Sequence, residues 1–321
     1  MHASSPRPQQ DPQRDTQPHP QRTRVLSGLI FAQIMVGASN GVTLSMGSLL
    51  AAHLAGASWG GSAATLTTIG AAIFSIPLAR MVSTYDRRTS LSTGMLLGCV
   101  GALLAILGAQ FGLFPVVLLA FLFMGSMSAV NLQARFAATD VASEQTRGRD
   151  LSIVVWSTTI GAIAGPNLFE PSARFSEALG LEQHAGAYLL CLFGQLIAIA
   201  VWRFTLPKGL KPETSTHKST EKKRLTPKAL QAITSVATAH FSMVGLMSMA
   251  AIHMQGHGAA LTIIGFTISL HVAGMYALSP LFGLLTDKLG RNFTIYSGFA
   301  MLATSAAFLV IWPEPQWAMI T

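Results

Sequence analysis

Long apolar segments alternate with short polar ones along most of the chain, starting at Val25. Each apolar segment is close to the roughly 20 residues that an α-helix needs to cross the hydrocarbon core of a bilayer. We therefore predict an all-α polytopic membrane protein with about nine complete transmembrane helices and the start of a tenth. The predicted spans are 26–52, 60–81, 91–111, 113–136, 151–169, 185–204, 230–254, 261–285 and 293–311.

Composition and charge placement agree with this pattern. The chain is 50% hydrophobic and only 11% charged, well below the roughly 25% charged residues of a typical soluble domain. Every Lys and Arg except Arg174 falls in segments on one side of the predicted membrane. By the positive-inside rule that side is cytoplasmic, and it includes the N-terminus. The net charge of +8 therefore sets topology in an inner or plasma membrane, and we expect no nucleic-acid partner.

Four regions follow from the spacing of the spans. Residues 1–24 are rich in Pro, Gln and Arg and predict a disordered cytoplasmic tail. Residues 25–204 hold six spans, and residues 205–229 form a basic cytoplasmic linker. Residues 230–321 hold the remaining spans. The cysteines Cys99 and Cys191 lie inside apolar segments and are interpreted as buried thiols.

The turn between the last two predicted spans carries the pattern G-x-x-x-D-x-x-G-R. Its residues are Gly283, Asp287, Gly290 and Arg291. The pattern resembles the cytoplasmic signature loop of the major facilitator superfamily of secondary transporters. The resemblance implies a fold of two six-helix bundles related by a repeat, which moves a small solute by alternating access.

Compared with that family, the second bundle is incomplete here, so we expect a C-terminally truncated chain. A non-transporting remnant is the alternative function. An enzyme, such as an intramembrane serine protease, is disfavoured because the sequence contains no G-x-S-G pattern. We expect a small-molecule substrate, the lipid bilayer and protons as partners, no cofactor, and a monomer.

A second copy of the loop is expected after span two. The residues Ala79, Ser83, Asp86, Arg87 and Arg88 stand there as a degenerate copy, with the basic end retained. In the family, the Asp of the intact loop meets a helix N-terminus of the opposite bundle, where the helix dipole favours a carboxylate.

For Asp287 that partner is expected at the start of span five, near Arg147, Arg149 and Asp150. An ordinary polar turn with a Gly C-cap is the alternative.

Span five contains Gly161, Gly165 and Pro166. The stretch resembles the family's antiporter motif, which is typical of proton-coupled exporters and so favours efflux. It predicts a hinge and a seal against leak. Simple packing of small residues is the alternative.

Candidate cavity residues are Gln33 and Asn40 in span one, His240 in span seven and His271 in span eight. Span one has no Asp or Glu, and histidine is the side chain that changes charge in the physiological pH range. Either histidine is therefore a candidate for proton or substrate contact. Structural hydrogen bonding between helices is the alternative for all four.

A polar segment at the cytoplasmic end of span four continues into span five and is predicted as a gate. Surface charge pairing is the alternative. A two-histidine metal site at His253 and His257 is disfavoured because no acidic residue is near, and we expect no metal. The candidate gate residues are Asn131, Arg135, Asp140, Arg147 and Arg149.

Overall fold

The protein is described by a computed structural model covering residues 21–143, 146–211, 226–278, 281–282, 285 and 288–311. The regular elements of these residues are all helices, which confirms the predicted all-α class. In chain order they are α1 (Arg22–Ala55), a 3-10 turn (Ala57–Trp59), α2 (Ser62–Thr84), α3 (Arg87–Gln110), α4 (Phe114–Thr139), α5 (Arg147–Asn167), α6 (Phe169–Ala178), α7 (Ala185–Thr205), α8 (Pro227–Gly256), α9 (Leu261–Ala277) and α10 (Arg291–Ile311).

A helix lies at each predicted span, and α6 is an addition that the pattern did not predict. Six of the described helices are long and apolar enough to cross a membrane, or seven if α5 and α6 form one bent span. These two helices meet at an angle of 54°, directly after Pro166 in the last turn of α5. The count of nine crossing helices stays a prediction.

Local sequence signals account for several helix ends. The side chain of Asp86 accepts a hydrogen bond from the backbone N–H of Thr89 and so caps α3. Thr226 caps α8 in the same way, with Pro227 at the first helical position. Gly290, just before α10, has φ 89°, a left-handed conformation that glycine adopts without strain.

Two predicted boundaries shift. Helix α1 already begins at Arg22, so the last residues of the predicted tail are helical. Helix α5 begins at Arg147, so the charged segment from Arg147 to Asp150 is a first helical turn and not a loop. Residues 1–20, and residues 212–225 of the predicted linker, lie outside the described part of the chain.

The first seven helices form a packed group with α1 at its centre. Helix α1 packs against α5 and α7, α3 against α4 and α7, and α2 against α4. Helices α8 and α9 pack on this group through α1 and α5. We call the face where α1 begins the N-terminal face, and the face where it ends the far face.

Candidate functional site

A cavity of about 330 Å³ lies between the first group of helices and the pair α8–α9. Its polar lining includes Asn40 of α1, Thr67 of α2, Asn131 of α4, Thr158 of α5 and His240 of α8. Much of the rest is apolar and flexible, since Met124, Met243, Met247 and Met275 also line it. The lining residues that the structure describes include no Lys, Arg, Asp or Glu.

Two of the four predicted cavity residues, Asn40 and His240, line this space from opposite groups of helices. Gln33 lies one layer behind the wall and is fully buried. Its Nε2 donates to Asn131 Oδ1 at 2.8 Å and to Thr158 Oγ1 at 3.1 Å. Gln33 therefore fixes two lining side chains.

His271 lies on α9 outside the cavity lining. It is half-buried, and its Nε2 has no hydrogen-bond partner among the described residues. The two predicted histidines thus occupy different environments, which makes them useful as a matched pair.

At the far face, α5 contacts α9 through hydrogen bonds. Asn167 Nδ2 donates to Ser269 Oγ at 2.7 Å, and Ser269 Oγ donates to the Ile163 carbonyl at 2.8 Å. Glu170 of α6 also accepts a hydrogen bond from Thr262 of α9. These contacts hold the two groups of helices together beyond the cavity.

The glycines of the antiporter-like stretch face α1. A Cβ added at Gly161 would lie 1.8 Å from the Ile34 carbonyl oxygen, and one at Gly165 would lie 2.5 Å from that of Ala38. Gly265 of α9 lies against the end of α5 in the same way, since an added Cβ there would lie 2.2 Å from the carbonyl oxygen of Pro166. This geometry is what small-residue packing requires, and the hinge and seal stay a prediction.

At the N-terminal face, Arg22 forms a two-point ion pair with Asp150. Its Nε lies 2.7 Å from Oδ2 and its Nη2 lies 2.5 Å from Oδ1. The Asp150 side chain is fully buried, whereas 24% of the Arg22 side chain is exposed. This pair joins the starts of α1 and α5, so Arg22 has a specific structural partner.

The degenerate loop after α2 makes a second set of contacts at this face. Arg87 Nε donates to Asp140 Oδ2 at 2.6 Å, and both side chains are about 90% buried. The Arg87 N–H donates to the carbonyl of Leu210, beyond α7. The loop therefore ties the end of α4 to the segment that follows α7.

Asp86 receives two backbone N–H groups, from Thr89 at 2.6 Å and from Gly209 at 3.0 Å. Partial burial alone would raise the pKa of Asp86, but these hydrogen bonds and the charge of Arg88 outweigh it and leave the pKa lowered. Ser83 donates within its own helix, to the Arg80 carbonyl at 2.8 Å, and Ala79 is exposed.

The predicted gate residues do not share one network among the contacts described. Asn131 faces the cavity and Asp140 pairs with Arg87. Arg149 is exposed, and Arg135 is half-buried with no hydrogen-bond partner for its Nε in the described part of the chain. The Arg147 side chain lies outside the described set. A gating role stays a prediction.

The intact signature loop falls largely outside the described residues. The described part of the chain does not include Gly283, Asp287 or the side chain of Arg291. The predicted contact of Asp287 with the start of α5 stays a prediction, while Asp150 at that start is already paired with Arg22.

Sequence inspection missed several residues of the site. Thr67 and Thr158 line the cavity, but isolated threonines are common in apolar helices and carry no distinguishing pattern. His53, Glu182 and His184 meet at the far face, although 129 residues separate the first two along the chain (182 − 53 = 129). Glu182 and His184 are two residues apart, but a single such pair is not distinctive, and nothing near it in the sequence points to His53.

Comparisons with known proteins agree with this architecture. Residues 29–321 match the sequence model of the family described as Major Facilitator Superfamily. The chain is 32% identical over 296 residues to the uncharacterized MFS-type transporter YddS of Bacillus subtilis (strain 168), covering 87% of this chain and 68% of that protein. It is 25% identical over 289 residues to the riboflavin transporter RfnT of Brucella anthropi, covering 87% and 70%.

Among solved structures, the fold resembles a bacterial homologue of the human lysosomal transporter Spinster in an inward-facing, occupied conformation. The TM-score is 0.63 at 18% identity, with 94% of this chain and 71% of that chain covered. At this identity the likeness shows the fold alone.

Proposed function

The chain belongs to the Major Facilitator Superfamily, and from this premise we propose that it carries a small uncharged solute across the membrane by alternating access. The family and the transporter relatives support solute transport by a multi-pass membrane protein. The proposal rests on the cavity between the two groups of helices, lined from both sides by Asn40 and His240.

The lining favours a neutral, flat solute with hydrogen-bonding edges. Amide and hydroxyl groups supply donors and acceptors, and the described lining offers no fixed charge to pair with an ionic solute. Methionine side chains adapt to aromatic rings and make favourable sulfur contacts with them. A heteroaromatic compound fits this set, and a relative is named a riboflavin transporter. Riboflavin is therefore the first solute to test.

We further propose that transport is coupled to protons through His240, the titratable side chain of the described lining. The resemblance of Gly161–Pro166 to an antiporter motif favours efflux in exchange for protons. A plasma-membrane location is supported by the family, and a cytoplasmic N-terminus is supported by the charge asymmetry of the loops.

The far-face contacts between α5 and α9 support a state of the transport cycle in which the protein is closed on that side. Asn167, Ser269 and Glu170 join the two groups of helices on the side opposite the N-terminus. With a cytoplasmic N-terminus, this is a state closed to the outside. Transport then requires these contacts to break and new ones to form at the cytoplasmic face.

The test is solute movement in proteoliposomes that contain the purified 321-residue protein. We expect His240→Ala to abolish proton-driven riboflavin movement and Asn40→Ala to weaken riboflavin binding. His271→Ala is the matched control, because it removes the same side chain from outside the cavity lining and should leave both properties unchanged. Equal effects of the two histidine variants would overturn the cavity assignment.

Binding measured separately, by quenching of riboflavin fluorescence, distinguishes two outcomes. Binding without transport would favour the alternative function, a chain that holds solute without completing the cycle. If riboflavin and related neutral heteroaromatic compounds are neither bound nor transported, the proposed solute class is refuted.

A further inference from the structure

Three side chains with metal-ligating atoms meet at the far face, away from the cavity. His53 lies in the last turn of α1, and Glu182 and His184 lie in the turn that leads into α7. One ligating atom from each residue lies within 4.8 Å of the other two. Among the described residues, this is the one group of three His, Cys, Asp or Glu with such geometry.

Two of the three side chains are already held in place. The Glu182 carboxylate accepts from the His184 backbone N–H at 2.7 Å through Oε2, and its Oε1 lies 2.7 Å from His184 Nδ1. The Glu182 backbone is fixed at both ends, by Gln110 Oε1 at its N–H and by Ser176 Oγ at its carbonyl. The carboxylate and one imidazole are thus positioned without any ion.

The third side chain completes the set from α1. The His53 and His184 rings are stacked, with centroids 5.0 Å apart and an angle of 26° between the rings. His184 is buried and His53 is exposed. The cluster therefore has a packed inner side and an outer side open to the solution, so that an ion could enter without unfolding any helix.

We propose that His53, Glu182 and His184 form a binding site for a divalent transition-metal ion such as Zn²⁺. Two imidazoles and one carboxylate match the three protein ligands of zinc sites that keep a fourth position for water. Imidazole also suits Cu²⁺ and Ni²⁺, whereas Mg²⁺ and Ca²⁺ prefer all-oxygen sites. Ion binding replaces the contact between His184 Nδ1 and Glu182, and any proton on the ligating nitrogens is released to water.

The charge of the site agrees with this. A Glu carboxyl group is ionised at neutral pH, so Glu182 supplies the negative charge that a divalent ion requires.

A second pair of neighbouring histidines, His253 and His257, lacks a carboxylate ligand among the described residues. The rings of His253 and His257 have centroids 4.3 Å apart, but His257 Nδ1 lies 2.9 Å from the His253 carbonyl. Among the described residues, no carboxylate or thiol joins them to form a group of three ligands. This pair serves as an internal control for metal binding by histidine alone.

The test uses the untagged 321-residue protein in detergent, stripped with a chelator and titrated with ZnCl₂ by calorimetry. We expect one high-affinity ion per chain and an increase in the thermal unfolding temperature. Because loss of even an outer-shell partner weakens metal binding 10- to 100-fold, His53→Ala and Glu182→Gln should each weaken it by roughly 100-fold or more. The double variant His253→Ala/His257→Ala should bind as the unmodified protein does, and MgCl₂ should not compete.

The visible spectrum of the Co²⁺-loaded protein reports coordination directly. A four-coordinate spectrum that is lost in His53→Ala supports the site, and since His53 is exposed this variant should fold even if Glu182→Gln does not. Zn²⁺ affinity unchanged by His53→Ala, or lost in the His253→Ala/His257→Ala variant, would overturn the proposal.

Discussion

Arg22 and Asp150 lie 128 residues apart and form a two-point ion pair between the first turns of α1 and α5. The Asp150 carboxylate also lies in the first turn of its helix, where the dipole stabilises negative charge. Its oxygens are fully buried, so the pair replaces contacts with water that the carboxylate has lost. The junction of these two helices therefore depends on a specific contact.

Asp150→Asn tests this contact. The substitution keeps the shape of the side chain but removes its charge, and hydrogen bonds to charged groups contribute about 1.5–3 kcal/mol. We expect a loss of that order in the free energy of unfolding, measured by denaturant titration in detergent. Arg149→Gln, at the exposed neighbouring position, should have little effect. If the two variants have the same free energy of unfolding, the ion pair between Arg22 and Asp150 makes no specific contribution to stability.

Gly161→Ala tests the close approach of α1 and α5. Because the new Cβ would lie 1.8 Å from the Ile34 carbonyl oxygen, the two backbones must separate, and overpacking typically costs about 1–3 kcal/mol. A lower thermal unfolding temperature is expected. The control is Gly274→Ala, where an added Cβ meets no atom of the described residues within 4 Å. A similar fall in that variant would contradict the packing argument.

The pH dependence of stability should contain a contribution from Asp86. Its pKa in the folded protein is lowered, so its contribution is fully present above the ordinary carboxyl pKa of about 3.9. It is lost as the pH falls through the folded pKa. At pH 7 the unfolding temperature of Asp86→Asn should therefore be lower than that of the unmodified protein. The difference between the two should shrink as the pH falls towards 3.

Exposed Glu177 offers a control for that experiment. Glu177→Gln should leave the pH profile unchanged, because no described hydrogen bond or ion pair involves its side chain. A gap between Asp86→Asn and the unmodified protein that stays constant from pH 7 to pH 3 would count against the assigned hydrogen bonds.

The far-face contact can be followed by crosslinking. The native Cys99 and Cys191 are buried and can be replaced by Ala. The pair Asn167→Cys/Ser269→Cys should then crosslink readily, because the native side chains are within hydrogen-bonding distance. Asn167→Cys/Gly274→Cys, displaced by more than a helical turn along α9, should not. If added solute leaves the rate of the first reaction unchanged, this contact does not open during the transport cycle.

Local signals predicted much of the fold. A membrane helix must satisfy its own backbone hydrogen bonds and be apolar over about 20 residues, and both properties are visible in the sequence. The short helix α6 was missed because it is polar enough to resemble a loop; it contains Glu170, Arg174 and Glu177.

The candidate site was predicted only in part. Asn40 and His240 were identifiable because polar side chains are costly in apolar helices and so attract attention. The cavity threonines gave no such signal. Thr67 bonds the Ala63 carbonyl of its own helix at 2.6 Å, and a threonine that can satisfy its hydroxyl locally costs little at any position.

By itself, the sequence determined the membrane class, the succession of helices and the family, because each depends on residues close together in the chain. Tertiary structure alone decided the partners of Arg22, Arg87 and His53. Arg22 with Asp150, Arg87 with Asp140, and His53 with Glu182 and His184 are pairings between distant segments. Such contacts depend on how the helices are arranged against one another, and no local pattern of hydrophobic and polar residues encodes that arrangement.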